Sequence, residues 1–588
     1  MNDGESGGET KLPARPANMV VRGLLTALPV GLTITTFGVH LRPEFIALSA
    51  LSVAVAATFL APQAAARWSA AAAFNGVVAP SCVVAAVLLS LDLLAPRERI
   101  PLLDPPSVEV LAAGAVVVLA SLALVLRNLG VSVTLIVCTL MAYALFGHLL
   151  AGAVGHGLIR PSHFLDLMFF TTDGILGTPL AVATGTVAHF LVFASVLERT
   201  GATMLFCRLA ERLCGSGPGS VARVAVVGSG LFGTISGSPT SDVVATGSMT
   251  IPAMRAAGYS RTKAAAIEVA ASTGGSFLPP VMGTAAFILA EYTGTSYTQV
   301  MLASLLPALL YYASLYLGVS LDARRHAYAS GVSLPARAGD DAHWLQLALP
   351  AASVIAVILT SYPPAHAAAA GTIVALLASA FRARGPIRPT ELVAALESAG
   401  RRMVPVLAAC TAAGLIIGRI TMSGLSGKVA TLLLSATGGT FFPTLAIAAL
   451  GGILFGLGMP TTSAYILGAM LMAPALVDLG VPLLAAHLYV LYFATLSAMT
   501  QQLHHRRGQP RGAVVAAGRR NRTGGHRRRP GRLCHLPDFG RRFRQRGADQ
   551  PGRRRPPHRP QCRTQAGGGG TKPVLRALPR SAGDCRSV

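Results

Sequence analysis

The chain of 588 residues is 52% hydrophobic and only 12% charged, about half the charged share of a soluble domain, which excludes an ordinary soluble globular protein. Its formal net charge of +25 does not point to a nucleic-acid partner, because the excess is local. Residues 501–588 hold 22 Arg and one Lys against three Asp and no Glu, so the body before them is close to neutral.

A polar segment, 1–18, opens the chain and runs into an apolar stretch with no cleavage site of the expected kind, so no cleavable leader is expected here. A helix needs about 20 mostly apolar residues to cross the hydrocarbon, and suitable runs recur at 19–40, 45–62, 70–95 and 108–126. These make a plain four-helix block over 19–126. Lys11, Arg15 and Arg22 favour a cytoplasmic start under the positive-inside rule. Further runs follow at 131–150 and 175–197, then at 300–319. A loop over 321–343 carries Arg324, Arg325, Arg337, Asp340 and Asp341 and divides the remainder into two halves, 127–320 and 344–500. Apolar runs of the second half lie at 344–361, 367–381, 404–420, 441–457, 465–479 and 483–499. The five cysteines of the body (Cys82, Cys138, Cys207, Cys214, Cys410) have no ligand spacing and read as small apolar core residues. His40, His156 and His189 are isolated and carry no assigned chemistry.

Two stretches are apolar yet interrupted by glycine, proline and hydroxyl residues: 228–252 followed by 271–283, and 451–465 followed by 494–500. Broken backbone at membrane depth is tolerated only where protein or a water-filled cavity satisfies its amides and carbonyls. The stretches also repeat. Pro279-Pro280 follows Phe232-Gly233 by 47 residues, and position 501 stands 46 residues after Phe455 of the second Phe-Gly pair. Paired interruptions in two halves mark a transporter site at a repeat interface.

The ordered motifs TTDGILGTPL (171–180), GTISGSPTSDVVATG (233–247), EVAASTGGSFLPPVMG (268–283), FGLGMPTTSAYI (455–466) and APALVDLGVPLLAAHL (473–488) resemble the permease of tripartite ATP-independent periplasmic (TRAP) transporters. The likeness is to the fused form that works with TAXI-type binding proteins, and it covers roughly 130–500. Residues 19–126 stand where that family has its small membrane subunit. The resemblance implies an all-α polytopic membrane protein with an elevator fold, built of two inverted repeats with re-entrant hairpins and broken helices. It also implies import of an organic anion, usually a carboxylate, across the bacterial inner membrane. The Na⁺ gradient would drive import, and a periplasmic substrate-binding protein would deliver the substrate. No further cofactor is expected.

Na⁺ prefers oxygen ligands, and ends of broken helices expose carbonyls and amides. Ser236, Gly237, Ser238 and Thr240 at the first tip fit this role, as do Gly458, Pro460, Thr461 and Thr462 at the second. Ser272, Thr273 and Gly274, ahead of Pro279 and Pro280, complete the first site. The hydroxyls of Ser236, Ser238, Thr461 and Thr462 are the side-chain candidates for Na⁺. Taken singly, such small residues merely let helices pack closely; as two repeated clusters they point to ion or substrate binding. Asp242 departs from the family, where asparagine is expected, and an ionisable residue at membrane depth is a functional candidate. It would ligate Na⁺ as a carboxylate, or titrate. Glu268 would pair with a cation or support the broken backbone.

A stand-alone carboxylate symporter is the competing transporter reading. No GxSxG or HExxH motif lies in the spans, which argues against an enzyme, and no P-loop argues for direct ATP drive. After Ala498-Met499-Thr500 the family continues with two prolines and an apolar segment, whereas this chain turns to Arg, Gly, Pro, Gln and His. Such a change inside a motif is what a GC-rich gene gives when read out of frame. The 501–588 tail is therefore expected to be disordered for lack of apolar surface; if the cell makes this tail rather than the sequence carrying a reading error, an inactive relic is the alternative reading.

Overall fold

The computed structural model describes residues 16–508 apart from 39–40, 61–68, 95–102, 105, 327, 332–342, 383–384 and 458. Every regular element among them is helical. Eight of these helices are long and apolar enough to cross a membrane.

Helices Pro16–Phe37, Pro43–Phe59, Ser69–Leu94 and Val108–Leu129 make up the N-terminal block. Local chemistry sets their ends: Pro43 occupies a first-turn position, where no intrahelical N–H is needed, and the Ser107 hydroxyl caps the fourth helix by accepting from Val110 N. The block does not stand apart. Its first, second and fourth helices pack on the 35-residue helix Pro389–Ser423 from the other end of the chain. At Gly400 the backbone of Leu25 approaches so closely that a Cβ would overlap it. Glu397 binds Arg22 Nε at 3.0 Å and Arg401 Nη2 at 2.6 Å, fastening the first helix to the long one. The long helix also packs against Ala188–Arg199, where Arg402 grips both oxygens of Glu198 at 2.7 and 2.5 Å.

Each half then runs through the same order of elements. Helix Ala202–Cys214 precedes a hairpin, Ser220–Ser236 against Pro239–Ala245 and Gly247–Ala256. Helix Leu425–Ala436 likewise precedes Phe441–Gly456 against Thr461–Asp478. The helix after the first hairpin, Arg261–Gly274, breaks into a short 3₁₀ turn, Gly275–Phe277, and resumes at Thr284–Thr293. Helix Tyr297–His326 closes this half, so the connector expected from 321 begins later.

Three expectations need correction. The helix after the second hairpin, Leu483–Gly508, runs without the break expected at 494–500 and carries eight residues of the anticipated tail. It holds no proline, and its single glycine is its final residue; the Gly-Gly and Pro-Pro pairs that interrupt its counterpart have no equivalent. Residues 509–588 lie outside the described residues, as does His40. Cys138 is exposed, unlike the other four cysteines of the body; its helix, Val131–Phe146, turns most of its surface outward. Among the described residues Glu268 pairs with neither a cation nor broken backbone, but with hydroxyls.

Candidate functional site

The first hairpin turns on Gly237, whose φ of +59° belongs to the left-handed region that glycine enters without Cβ strain. Ser236 ends the first arm, and Pro239 begins the second at a position where it loses no hydrogen bond. This geometry folds Asp242 back toward Ser236. The Ser236 hydroxyl donates to Asp242 Oδ1 and accepts from Ser238 N at 3.2 Å. Ser238 Oγ and Thr240 Oγ1 stand 3.3 Å apart, with Thr240 exposed.

Asp242 is fully buried, and its Oδ2 has no hydrogen-bond partner among the described residues. It lies where the first arm and the broken helix pack closely. A Cβ on Gly233 would stand 2.7 Å from Gly275 Cα and 2.9 Å from Asp242 Oδ2; one on Gly275 would stand 3.2 Å from the same oxygen. Two glycines thus let tip, break and carboxylate meet. Val281 N donates to Thr234 O at 3.0 Å, which holds the break against the hairpin, and Gly283 N donates to Ser276 O at 2.8 Å within the break. Pro279 and Pro280 are half-buried. The Pro280 carbonyl accepts from Tyr297 Oη at 3.0 Å.

The other candidates divide. Ser272 and Thr273 are buried, but the Thr273 hydroxyl donates to Val269 O of its own helix at 2.7 Å. Gly274 faces the Tyr311 and Tyr312 rings rather than the tip, a packing position. At the second tip Pro460, Thr461 and Thr462 are half-buried, and Ser463 Oγ donates to Ala409 O of the long helix at 3.2 Å. Gly458 lies outside the described residues. Gly456 abuts Ser497, where an added Cβ would come 2.5 Å from that side chain; this mirrors Gly233 against Gly275. The halves meet where Phe277, in the first break, sets its ring edge-on to Tyr492 with centroids 5.3 Å apart.

Sequence reasoning missed the role of Gly233 and Gly275 and the shell of Glu268. Its carboxylate, wholly buried, accepts from Ser229 Oγ at 2.8 Å, Thr246 Oγ1 at 2.6 Å and Thr250 Oγ1 at 2.6 Å. These donors come from both arms of the hairpin, so one acid fastens three helices. Hydroxyls spaced at 246 and 250 on one helical face were the available signal. His189 is buried edge-on to Phe37. Among the described residues no group of three or more His, Cys, Asp or Glu is placed to hold a metal.

Residues 116–500 match the family model described as "Tripartite ATP-independent periplasmic transporter, DctM component". The chain belongs to this family. Among curated relatives of the permease is "Uncharacterized protein YgiK" of Salmonella typhimurium, 32% identical over 142 residues, covering 24% of this chain and 32% of that protein. Another is "Isethionate TRAP transporter permease protein DctMQ" of Oleidesulfovibrio alaskensis, 32% identical over 133 residues, covering 22% of this chain and 20% of that protein. The matches thus span only about a third and a fifth of these relatives. A similar solved structure is the YdaH transporter of Alcanivorax borkumensis, with a TM-score of 0.45 and 16% identity over 66% of this chain and 93% of that one. The TRAP permease is a multi-pass protein of the bacterial inner membrane. Its family is one of transporter permeases rather than enzymes.

Proposed function

We propose that this permease imports an organic anion, driven by the Na⁺ gradient and supplied by a periplasmic substrate-binding protein. The observation that carries the reading is the buried Asp242 Oδ2, set between hairpin tip and broken helix with no donor upon it among the described residues. A buried carboxylate without a donor asks for a cation or a proton. The Ser236 oxygen on the same carboxylate, and that of Ser238 in the same turn, are hard donors of the kind Na⁺ prefers, so the residues fit the ion. Thr461 and Thr462 are the second half's candidates, and the substrate anion would be held between the two tips. The elevator motion and the TAXI-type partner belong to this proposal, as does the choice of a carboxylate substrate.

The test is uptake into proteoliposomes containing the full chain, with and without a binding protein, for a panel of small carboxylates and sulfonates. Isethionate belongs in the panel because a relative is named for it. Accumulation that needs both the binding protein and an inward Na⁺ gradient supports the reading. Accumulation without the binding protein favours a stand-alone symporter, and accumulation driven by a proton gradient alone overturns Na⁺ coupling. A second reading, an inactive permease, is favoured by the unbroken helix Leu483–Gly508; it predicts no uptake of any panel member.

A further inference from the structure

Helices Arg261–Gly274 and Tyr297–His326 leave a groove of about 430 Å³ between them. Lys263, in the first turn of one helix, and Asp322, near the end of the other, share one end of it. Ile267, Tyr311, Leu315 and Val319 line the rest. The path from Asp322 to Tyr311 covers eleven residues, about 16 Å of helix rise. That matches the ~15 Å hydrocarbon depth of one leaflet. The groove therefore has a polar end at headgroup level and an apolar floor of about one acyl chain's depth.

The polar end carries both signs. Lys263 Nζ donates to Asp322 Oδ1 at 2.5 Å and to Tyr328 Oη at 3.2 Å. An ammonium has three N–H donors, so one remains for an anion. Asp322 Oδ1 also faces His326 Nδ1 at 3.1 Å, whereas its Oδ2 is buried without a partner among the described residues. Exposed Arg261, Arg324 and Arg325 stand near the same helix ends and add attraction for phosphate.

We propose that this groove binds one phosphatidylethanolamine molecule, its phosphate on Lys263, its ammonium on the partly exposed Asp322 carboxylate and one acyl chain along Ile267, Leu315 and Val319. The acid decides the headgroup. A primary ammonium brings three N–H donors to the carboxylate, a choline headgroup brings none, and a glycerol headgroup brings no cation to meet it. The site is independent of what the permease transports. It holds together the two helices that flank the broken segment.

The test uses the full chain purified in a mild detergent and titrated with lipids of identical acyl chains: phosphatidylethanolamine, its singly and doubly N-methylated forms, phosphatidylcholine and phosphatidylglycerol. Native mass spectrometry counts the molecules retained. One phosphatidylethanolamine should remain bound, with retention falling at each methylation as donors are lost. Equal retention of phosphatidylcholine overturns the proposal, as does stronger retention of phosphatidylglycerol, which would reveal a plain basic patch. Asp322→Asn and Lys263→Met, checked for folding by gel filtration, should each weaken binding about tenfold, the loss of one charge-assisted hydrogen bond. A folded Asp322→Asn chain with unchanged occupancy overturns it. If both variants misfold, the methylation series on the unaltered chain decides.

Discussion

Asp242 and Glu268 lie on neighbouring helices of one hairpin bundle, yet their surroundings give them different work. Glu268 accepts three hydroxyl hydrogen bonds and so has its charge distributed within the fold. Asp242 accepts one, from Ser236, and keeps an oxygen for something else. Replacing Glu268 by Ala should cost about 2–5 kcal/mol, because three donors lose their common acceptor; thermal unfolding of the purified protein checks this. Asp242→Asn should keep transport and weaken Na⁺ activation by about tenfold, the scale of one charged hydrogen bond or ligand. A dead Asp242→Asn protein at normal abundance would show that the acid has become essential. Gly233→Ala should abolish uptake at unchanged expression, since its methyl would displace either Gly275 or the carboxylate. A Gly233→Ala protein with full uptake would show that hairpin and break need not touch.

At the scale of elements, the contrast between the helices that follow the two hairpins is a contrast of composition. Arg261–Gly274 ends at a glycine pair with a proline pair shortly beyond, and there the ladder of hydrogen bonds stops. Leu483–Gly508 meets neither pair and continues. The interruption of the first half was legible from residues alone, because glycine and proline act on the backbone wherever they stand. The Glu198–Arg402 pair was not legible, since its members lie 204 residues apart. It joins helices of the two halves, both side chains partly buried. A double-mutant cycle with Glu198→Gln and Arg402→Gln should give a coupling of about 1–3 kcal/mol, above the level of an exposed pair. A coupling near zero would mean that the contact does not hold the halves together.

For the whole molecule, the N-terminal block had the outward marks of a separable module: four ordinary spans ahead of the motif-bearing region. Its first helix instead lies against the long helix Pro389–Ser423, with Leu25 on Gly400 and Arg22 on Glu397. Deleting residues 1–126 should therefore leave the remainder unable to fold, visible as aggregation in size-exclusion chromatography, rather than release a working core. A monodisperse truncated protein would show that the block is an accessory.

The chain's own chemistry determined that it lives in a bilayer, that its apolar segments are helical, and that two places along it are interrupted by glycine and proline. Those are local consequences of hydrophobicity and backbone freedom, and they need no knowledge of neighbours. Which residues share a contact site was decided by tertiary structure alone. Ser236, Gly233, Asp242 and Gly275 are brought together by a hairpin folding back on a broken helix. Gly274, one position away from Gly275, is turned instead toward two tyrosines. Direction around a helix changes by about 100° per residue, so a motif names the neighbourhood of a site while packing selects the side chains that face it.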